Sequence, residues 1–489
     1  MSTQQPNDPV LDITQSILTE AAQRPWLAAL LMRRKPDWLT RLAHLAQRVH
    51  NLPRHTRRAL RRKLASGLAA AALLLALAGT PTAYAVSITV GSGVGGLLTN
   101  SNCSLAEAII NANNDAGTWP DCAAGSGADT ITLPASTTFS YATALSTDTL
   151  SALPDITSQI TIEANGSTIQ RSGAVTNFRI LKVATTSGDL TLNQATLSGG
   201  YTIWGGGIHT GGTLTVQNST ITGNYAISRG GGIYINQGTA TVQNSTLSSN
   251  TAGNGGGVFN SGSTLLVSNS TLSGNEAVGR GGGIASSGTV TVNNSTITNN
   301  SAVSGGGLYN NSYFAGKMYV QNSIVAHQAY GYDCVDVPPS ALPGYNIESA
   351  TSCGFTSTGD QQNVTSGALN LQALGPNGTK PHPFTHALGA GSVAIDKIPI
   401  GTNGCASTNT DERGGWRANG AGKGGSACDV GAYEADSTID AATAITLNDL
   451  TATANTSPGL IGALGAIFAA LGALLFGRRK TAARRRLNY

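Results

Sequence analysis

Ring-bearing side chains recur along the middle of this 489-residue chain at a nearly constant spacing. Each follows a glycine triplet and one apolar residue. The five positions are His209, Tyr234, Phe259, Ala285 and Tyr309, of which four carry a ring. Phe, Trp and Tyr make up only 5% of the chain, so the recurrence points to a role. An exposed column of rings can stack on the faces of sugars or bind a partner protein. The alternative is that the rings merely stabilise the coil, or lie under a loop.

Residues that could carry out acid–base or metal chemistry are sparse in the same region. Between residues 160 and 330 the acidic side chains are Glu163, Asp189 and Glu276, and the histidines are His209 and His327. The three carboxylates fall at different positions of the repeat. Polysaccharide lyases need carboxylates to hold Ca²⁺ and a basic residue to take a proton, whereas hydrolases need paired carboxylates. The sequence therefore predicts no catalytic residue, no metal site and no cofactor, with a polysaccharide lyase or hydrolase as the alternative.

The segments that must position these side chains form an internal repeat of about 25 residues. Asn-Ser-Thr or Asn-Ser begins at Asn218, Asn244, Asn269, Asn294 and Asn322. Each unit is rich in Thr and Val, with apolar residues at alternating positions such as Leu214 and Val216, which is typical of β-strands. Short strands repeated at this period close their hydrogen bonds by stacking each coil on the next. The sequence therefore predicts an all-β chain whose centre is a parallel β-helix.

We expect the repeated asparagines to lie above one another in successive coils. The alternation of Leu214 and Val216 continues to Asn218, but Ile221 breaks it, so the chain must turn at Asn218. Asparagine tolerates the left-handed conformation that such a turn needs, and its amide can bond to the asparagine of the next coil. We expect Asn275 to have a similar role at the next bend. It is in register with Asn224, Asn250 and Asn300.

Composition and charge restrict the classes of partner. The chain contains 62 glycines and only 11% charged residues, which favours a repetitive, backbone-dominated structure. Of the 29 Lys and Arg residues, 12 precede residue 86 and six follow residue 477, which leaves 11 for the middle. The middle also holds 21 of the 25 acidic residues, so its net charge is about −10. This excess of acidic residues argues against a nucleic-acid partner.

The two ends of the chain have the features of targeting segments. Basic residues precede the apolar run LAAAALLLALAG, and Ala83-Tyr84-Ala85 fits a cleavage site, so residues 1–85 are predicted to be an extended leader and signal peptide. Residues 459–477 are uncharged and apolar, and the basic segment 478–489 follows directly. This order predicts a transmembrane anchor with a cytoplasmic tail, after a linker at 437–458.

All six cysteines lie between the two targeting segments, at Cys103, Cys122, Cys334, Cys353, Cys405 and Cys428. An even number confined to the exported part predicts disulfides formed in an oxidising compartment. Six cysteines allow 15 connectivities, among which we favour the pairs of neighbours in sequence.

Three groups of motifs resemble known bacterial surface proteins. The repeats resemble those of right-handed parallel β-helix proteins, including chlamydial polymorphic outer membrane proteins. CSLAEAI, from Cys103 to Ile109, is similar to the CSLREAI motif that precedes such repeats, with Ala106 in place of the motif's arginine. Downstream, GSVAIDK and DERGGWR…CDVGAYE, which ends at Glu434, resemble the choice-of-anchor Q domain, whose members carry C-terminal cell-surface anchors. The resemblance implies a right-handed β-helix at the cell surface.

The flanks of the repeats are predicted to be caps. Ser104 and Glu107 form a capping box that opens a helix, which we interpret as a lid over the first coil in an N-terminal cap at 86–150. The repeats follow at 151–330, and a C-terminal cap that resembles the choice-of-anchor Q domain follows at 331–436. Asp411, Arg413 and Arg417 could be taken for an active site, but we interpret them as ion pairs that hold this disulfide-linked cap in place.

These observations together predict a right-handed parallel β-helix with an N-terminal helical cap, a C-terminal cap and a C-terminal transmembrane helix. We expect an exported protein, anchored in the membrane and displayed on a bacterial cell surface. Its expected role is adhesin-like or structural display of a binding surface for a surface glycan or a host or matrix protein.

Overall fold

The computed structural model describes residues 86–435, with gaps at 92–95, 147–149, 174–175, 185–186, 315, 339–343, 379–382, 407 and 418–426. The predicted leader at 1–85, the linker, the transmembrane anchor and the basic tail lie outside the described residues. Among the residues that are described, no helix is long and apolar enough to cross a membrane.

Short strands follow one another through four parallel sheets in a repeating path. One coil passes from sheet 1 at Asp189–Asn193 to sheet 2 at Thr196–Ser198, sheet 3 at Tyr201–Trp204 and sheet 4 at Ile208–Thr210. The chain then returns to sheet 1 at Thr213–Gln217. Each strand pairs in parallel with the equivalent strands of the coils before and after it. The predicted all-β parallel solenoid is therefore confirmed.

Sheets 1 and 2 have nine strands each within the described ranges. Sheet 1 has the order β1 (Ser87–Thr89), β2 (Asp129–Thr132), β4 (Gln159–Glu163), β7 (Asp189–Asn193), β11 (Thr213–Gln217), β15 (Thr239–Gln243), β19 (Thr264–Ser268), β23 (Thr289–Asn293) and β27 (Lys317–Gln321). Sheet 2 has the order β3 (Thr138–Tyr141), β5 (Thr168–Arg171), β8 (Thr196–Ser198), β12 (Thr220–Thr222), β16 (Thr246–Ser248), β20 (Thr271–Ser273), β24 (Thr296–Thr298), β28 (Ile324–Ala326) and β30 (Ile347–Glu348).

Sheets 3 and 4 are shorter along the solenoid axis. Sheet 3 consists of β9 (Tyr201–Trp204), β13 (Tyr225–Arg229), β17 (Thr251–Asn254), β21 (Glu276–Arg280) and β25 (Ser301–Ser304). Sheet 4 consists of β6 (Leu181–Val183), β10 (Ile208–Thr210), β14 (Ile233–Ile235), β18 (Val258–Asn260), β22 (Ile284–Ser286), β26 (Leu308–Asn310) and β29 (Cys334–Val335).

In the part of the chain that the structure describes, two helices, one 3₁₀ turn and two antiparallel pairs lie outside the coils. They are α1 (Leu105–Asn114), the 3₁₀ turn (Ser312–Phe314), α2 (Ser366–Leu369), β31 (Leu371–Gly375) with β32 (Thr385–Leu388), and β33 (Ile398–Pro399) with β34 (Ala427–Cys428). The helix α1 begins with the predicted capping box: Ser104 accepts from the Glu107 amide, and Glu107 accepts from the Ser104 amide. Its apolar residues, such as Leu105 and Ile109, are part of the main core.

The core consists of columns of aliphatic side chains inside the solenoid. In sheet 1, Leu214 pairs with Ala240 and Val216 pairs with Val242, and all four side chains are buried. Side chains alternate along a strand, so the threonines between them point outward. Burying one aliphatic side chain contributes about 1.5–3 kcal/mol, and the repeat multiplies this contribution along the axis.

The glycine triplets make the bend between sheets 3 and 4. Gly230 has a φ of +67°, which a residue with a side chain rarely adopts. A Cβ on the following Gly231 would lie 2.5 Å from the carbonyl oxygen of Thr251 in the next coil. The bend therefore requires glycine for two reasons, the backbone conformation and the close approach of the next coil.

The asparagines that begin each Asn-Ser-Thr unit make the predicted left-handed turn between sheets 1 and 2. Their φ values lie between +44° and +51° at Asn218, Asn244, Asn269, Asn294 and Asn322. Their amides, however, do not form the continuous ladder that we predicted. Asn322 donates to Asn294 at 2.9 Å, whereas Asn269 donates to the Thr410 carbonyl of the C-terminal part. Asn322 is buried, and the other four are half-buried on the outside of the coil, where other groups compete for their amides.

The continuous amide ladder lies one bend later, at Asn224, Asn250, Asn275 and Asn300. In the first three, Nδ2 donates to the Oδ1 of the next asparagine at 3.0 Å, and Asn300 donates to Gln328 at 3.2 Å. Each Oδ1 also accepts from a backbone amide, as in the 3.1 Å bond from the Asn224 N–H to Asn250. All four side chains are fully buried, so these bonds satisfy polar groups that water does not reach.

The C-terminal residues have two different placements. The described residues of 334–364 cover the last coil, where β29 and β30 extend sheets 4 and 2, and Phe355 enters the main core. Those of 366–435 instead lie against the outer face of sheet 2, as far back as Thr246. We call residues 366–435 the flanking module. The predicted cap at 331–436 is therefore only partly a cap, because threonine hydroxyls on sheet 2 bind the returning chain.

Three disulfides join the pairs that are neighbours in sequence, namely Cys103–Cys122, Cys334–Cys353 and Cys405–Cys428. One disulfide lies next to α1, one closes the last coil, and one lies within the flanking module. Together they leave no cysteine free.

Candidate ligand-binding surface

The recurring ring positions form one column on the outer side of sheet 4. His209 pairs with Tyr234, Tyr234 with Phe259, Phe259 with Ala285, and Ala285 with Tyr309. The flanking residues of each strand, such as Ile233 and Ile235, point into the core, and the middle residue therefore points outward. We call these five residues the ring column.

The rings in the first part of the column contact one another. The His209 and Tyr234 centroids lie 5.0 Å apart, and the Tyr234 and Phe259 centroids lie 5.9 Å apart. Trp204 also stacks on Tyr234, with the ring centroids 6.4 Å apart. As a result, Tyr234 is only 6% exposed, less than an outward column predicts, whereas Phe259 and Tyr309 are half-buried. Contacts between rings of successive coils therefore explain part of the recurrence of rings in this column.

A second column on sheet 3 runs beside the ring column and was not predicted. Register pairs Trp204 with Arg229, Arg229 with Asn254, Asn254 with Arg280, and Arg280 with Ser304. The Arg229 guanidinium lies 4.9 Å from the Phe259 centroid, and that of Arg280 lies 5.1 Å from the Tyr309 centroid. The signal for this column is in the sequence, because each member directly precedes a glycine triplet.

Histidine at the start of the ring column is neutral. His209 Nδ1 lies 2.6 Å from Arg179 Nη1, and because a guanidinium can only donate, Nδ1 accepts. Burial and the positive charges of Arg179 and Lys182 lower the pKa of His209 to about 4. An uncharged imidazole at neutral pH extends the stack of rings without adding charge to it.

A cleft opens between the two columns at their C-terminal end. Its volume is about 160 Å³, and it is lined by Arg229, Asn254, Phe259, Arg280, Ala285, Ser286, Ser287, Tyr309, Asn311 and Phe314. No carboxylate is among these lining residues, and neither arginine forms an ion pair within the described ranges. The cleft therefore combines ring faces, neutral hydrogen-bonding groups and two cations.

The carboxylates of the repeat region occupy different positions of the coil. Glu163 ends β4 and pairs with Asn193, and Asp189 begins β7 and pairs with Thr213. Glu276 begins β21 in sheet 3 and pairs with Ser301. Glu163 and Asp189 thus lie at opposite ends of two neighbouring strands of sheet 1, and Glu276 lies on another sheet, so the three carboxylates do not form a pair.

The charged residues of the DERGGWR segment are buried together in the flanking module. Arg413 lies 2.5 Å from Asp411, and Arg417 lies 3.8 Å from Glu434. Arg417 also donates to the Gly431 carbonyl and contacts Asn269 of the solenoid. Burial raises the pKa of Glu434 to about 9 and lowers that of Arg417. This geometry supports the interpretation of Asp411, Arg413 and Arg417 as groups that hold the module together and dock it.

Docking of the module also uses two residues that sequence reasoning missed. Glu412 is fully buried and lies 2.5 Å from Thr271 and 3.2 Å from Thr246. Burial raises the pKa of Glu412 well above its ordinary value. Both threonine hydroxyls donate to Glu412, and Thr246 Oγ1 also lies 2.7 Å from the Phe384 carbonyl oxygen.

The second missed residue, His386, lies at the wall of a cavity of about 360 Å³ between the module and sheet 2. Its Nδ1 donates to the Gln372 carbonyl at 2.7 Å, which leaves Nε2 to accept from the Ser273 hydroxyl at 2.8 Å. Burial lowers the pKa of His386, so the ring is neutral. Neither Glu412 nor His386 stands in a repeat, and so periodicity could not have found them.

The fold and the two columns define a class of protein, a parallel β-helix with a groove on one long face. Residues 181–338 match the family model of the right handed beta helix region, which covers less than half of the chain. This match and the parallel sheets support a right-handed β-helix. Comparison with curated proteins and with solved structures found no match.

Proposed function

We propose that this chain is an exported bacterial surface protein that binds a glycan, or a host or matrix protein, through the ring column. The leader at 1–85, the apolar segment at 459–477 and the resemblance to proteins with CSLREAI motifs and choice-of-anchor Q domains support this localisation. Three disulfides support an oxidising compartment. In this proposal the β-helix is a rigid rod that holds its groove away from the membrane.

The observation that carries the binding role is the pair of columns on sheets 3 and 4. The flanking module covers the outer face of sheet 2, and the outer residues of that sheet, such as Thr271 and Thr296, are buried. Sheet 3, in contrast, exposes large apolar side chains, including Trp204 at 45%. Rings and arginines concentrated on an open face are typical of recognition sites.

The test is a glycan and matrix-protein array probed with the full chain in detergent micelles. We expect binding that the double substitution Phe259→Ser and Tyr309→Ser weakens at least tenfold, because stacking contacts dominate such sites. The matched control is Tyr319→Ser, which removes an exposed ring from β27 in sheet 1. Equal loss with the control, or no ligand on the array, would contradict the proposal.

The alternative function, a polysaccharide-degrading enzyme, fits the same family match. One geometric feature favours it, namely that the Ser273 hydroxyl donates to the neutral His386 beside a cavity, as in a nucleophile activated by a base. The same array is therefore run with a polysaccharide-cleavage screen. Cleavage that Ser273→Ala abolishes while binding to the array persists would establish the enzyme and displace the adhesin-like role.

A further inference from the structure

The ring column has one interruption, and it coincides with the cleft. Ala285 stands between Phe259 and Tyr309, so that a methyl group takes the place of a ring. Neighbouring strands of a sheet lie about 4.8 Å apart, so the two rings belong to positions about 10 Å apart. A ring placed midway between them would lie about 5 Å from each, which is within the range of about 4.5–7 Å between the centroids of contacting rings.

The two arginines set the charge of this interval. Arg229 and Arg280 are exposed, line the cleft and each lie over one of the two flanking rings. Neither arginine is neutralised by a carboxylate of the described residues. This concentration of positive charge stands on a chain segment whose net charge is about −10. Two forked guanidinium groups beside a slot for a ring match an anionic substituent on that ring.

The other residues that line the cleft can form hydrogen bonds with the hydroxyl groups of a sugar. Asn254, Ser286, Ser287 and Asn311 contribute neutral donors and acceptors around the slot. The volume of about 160 Å³ has room for one sugar ring and not for a long segment of polymer. A carboxylated sugar has the three properties that the slot provides for: a face that stacks, hydroxyls and one negative charge.

We propose that the gap at Ala285 is a subsite for a single sugar residue that carries a carboxylate, held between Phe259 and Tyr309 and paired with Arg229 and Arg280. This inference rests on the proposed glycan-binding function and specifies which glycans bind. In the free protein, the Arg229 guanidinium lies over Phe259 and the Arg280 guanidinium lies over Tyr309. In the complex, both arginines turn their free N–H groups toward the carboxylate of the sugar.

The first test compares an oligosaccharide of uronic acid with the same oligosaccharide whose carboxyl groups are methyl esters, using the full chain. We expect the methyl ester to bind at least tenfold more weakly, and the affinity for the acid to fall with rising salt. A sulfated oligosaccharide is the third arm. Equal binding of acid and methyl ester overturns the proposal, and so does preference for the sulfated sugar.

The second test fills the gap. Ala285→Tyr continues the ring column, so we expect unchanged β-rich circular dichroism and an unchanged or higher melting temperature, with at least tenfold weaker binding of the uronic acid oligosaccharide. Ala285→Ser keeps the gap and is the matched control. The double substitution Arg229→Gln and Arg280→Gln removes both positive charges that line the cleft. Its control is Lys317→Gln, which removes one positive charge from sheet 1. Wild-type binding by Ala285→Tyr overturns the proposal even if that variant is stable.

The outcomes separate this inference from the proposed function. If neutral glycans bind and the Phe259 and Tyr309 substitutions abolish that binding, the surface is a glycan-binding site and the carboxylate subsite is wrong. If a matrix protein binds but no glycan does, only the carboxylate subsite is wrong, and if neither binds, both are wrong.

Discussion

Glu412 and Thr271 are separated by 141 residues in the chain and are joined by a hydrogen bond of 2.5 Å. The carboxyl belongs to the flanking module and the hydroxyl to sheet 2 of the solenoid. Burial of Glu412 raises the pKa of its carboxyl well above the ordinary glutamate value. The attachment of the module to the solenoid is therefore linked to pH.

The first prediction concerns this linkage. The folded-state pKa of Glu412 is raised, so its contribution is fully present below the ordinary glutamate pKa of about 4.3 and is lost as pH rises toward the folded value. The stability lost is about 1.4 kcal/mol per pH unit for one such group. We expect Glu412→Gln, which cannot ionise, to flatten the fall in melting temperature between pH 5 and 9.

Asp429 and Glu434 have raised pKa values of about 6 and 9, so the same substitution leaves part of the pH dependence in place. The control is Glu276→Gln, which removes an exposed carboxyl. A wild-type pH profile in Glu412→Gln would show that Glu412 is ionised in the folded protein.

The second prediction separates the two sets of asparagines. Asn250→Gly deletes an amide that donates to Ile221 and Asn275 and accepts from Asn224, so we expect a loss of about 2–4 kcal/mol in unfolding free energy. Asn244→Gly keeps the left-handed turn, and we expect a change within about 0.5 kcal/mol. Denaturant unfolding measures both, and equal losses would contradict the assignment.

The third prediction extends the second to the turn position itself. Asn269→Val places a β-branched residue at a φ of +44° and removes bonds to Thr410 and Arg417, so we expect a loss of about 1–3 kcal/mol. Asn269→Gly loses the same two bonds, but glycine adopts a positive φ without strain. The difference in unfolding free energy between the two variants measures that strain, and a difference of zero would argue against a strained turn.

The fourth prediction concerns the buried ring. Tyr234 is enclosed by His209, Phe259 and Trp204, so Tyr234→Ser should lower the unfolding free energy by about 2–4 kcal/mol. Tyr309→Ser removes a half-buried ring and should cost less than about 1.5 kcal/mol. Similar losses for both would mean that the whole column is structural packing.

The fifth prediction concerns export. If Ala83-Tyr84-Ala85 is the cleavage site, the mature N-terminus is Val86, because small residues are required at these positions. Mass spectrometry of the N-terminal peptide from membrane fractions should find Val86, and Ala83→Lys with Ala85→Lys should leave the leader attached. Wild-type protein recovered from the cytoplasm with an uncleaved leader would contradict the export.

The sequence by itself determined the features that repeat with the coil. Because each coil contacts its nearest copies, a period of about 25 residues predicts the strand register, the aliphatic columns at Leu214 and Val216, and the ring column. The turn at Asn218 followed from the break in alternation. The disulfide pairs followed from proximity in sequence, because short loops keep paired cysteines close.

Only the tertiary structure decided which parts lie on the outside of the coils. Glu412 contacts Thr246 across 166 residues, and no period relates the two. That contact makes residues 366–435 a flanking module rather than a cap, and it leaves the asparagine amide at Asn269 to bind Thr410. Spacing also could not show that Trp204 covers Tyr234, or that Arg229 and Arg280 lie over Phe259 and Tyr309. Side-chain contacts between neighbouring columns depend on how two sheets meet at a bend, which only the folded chain sets.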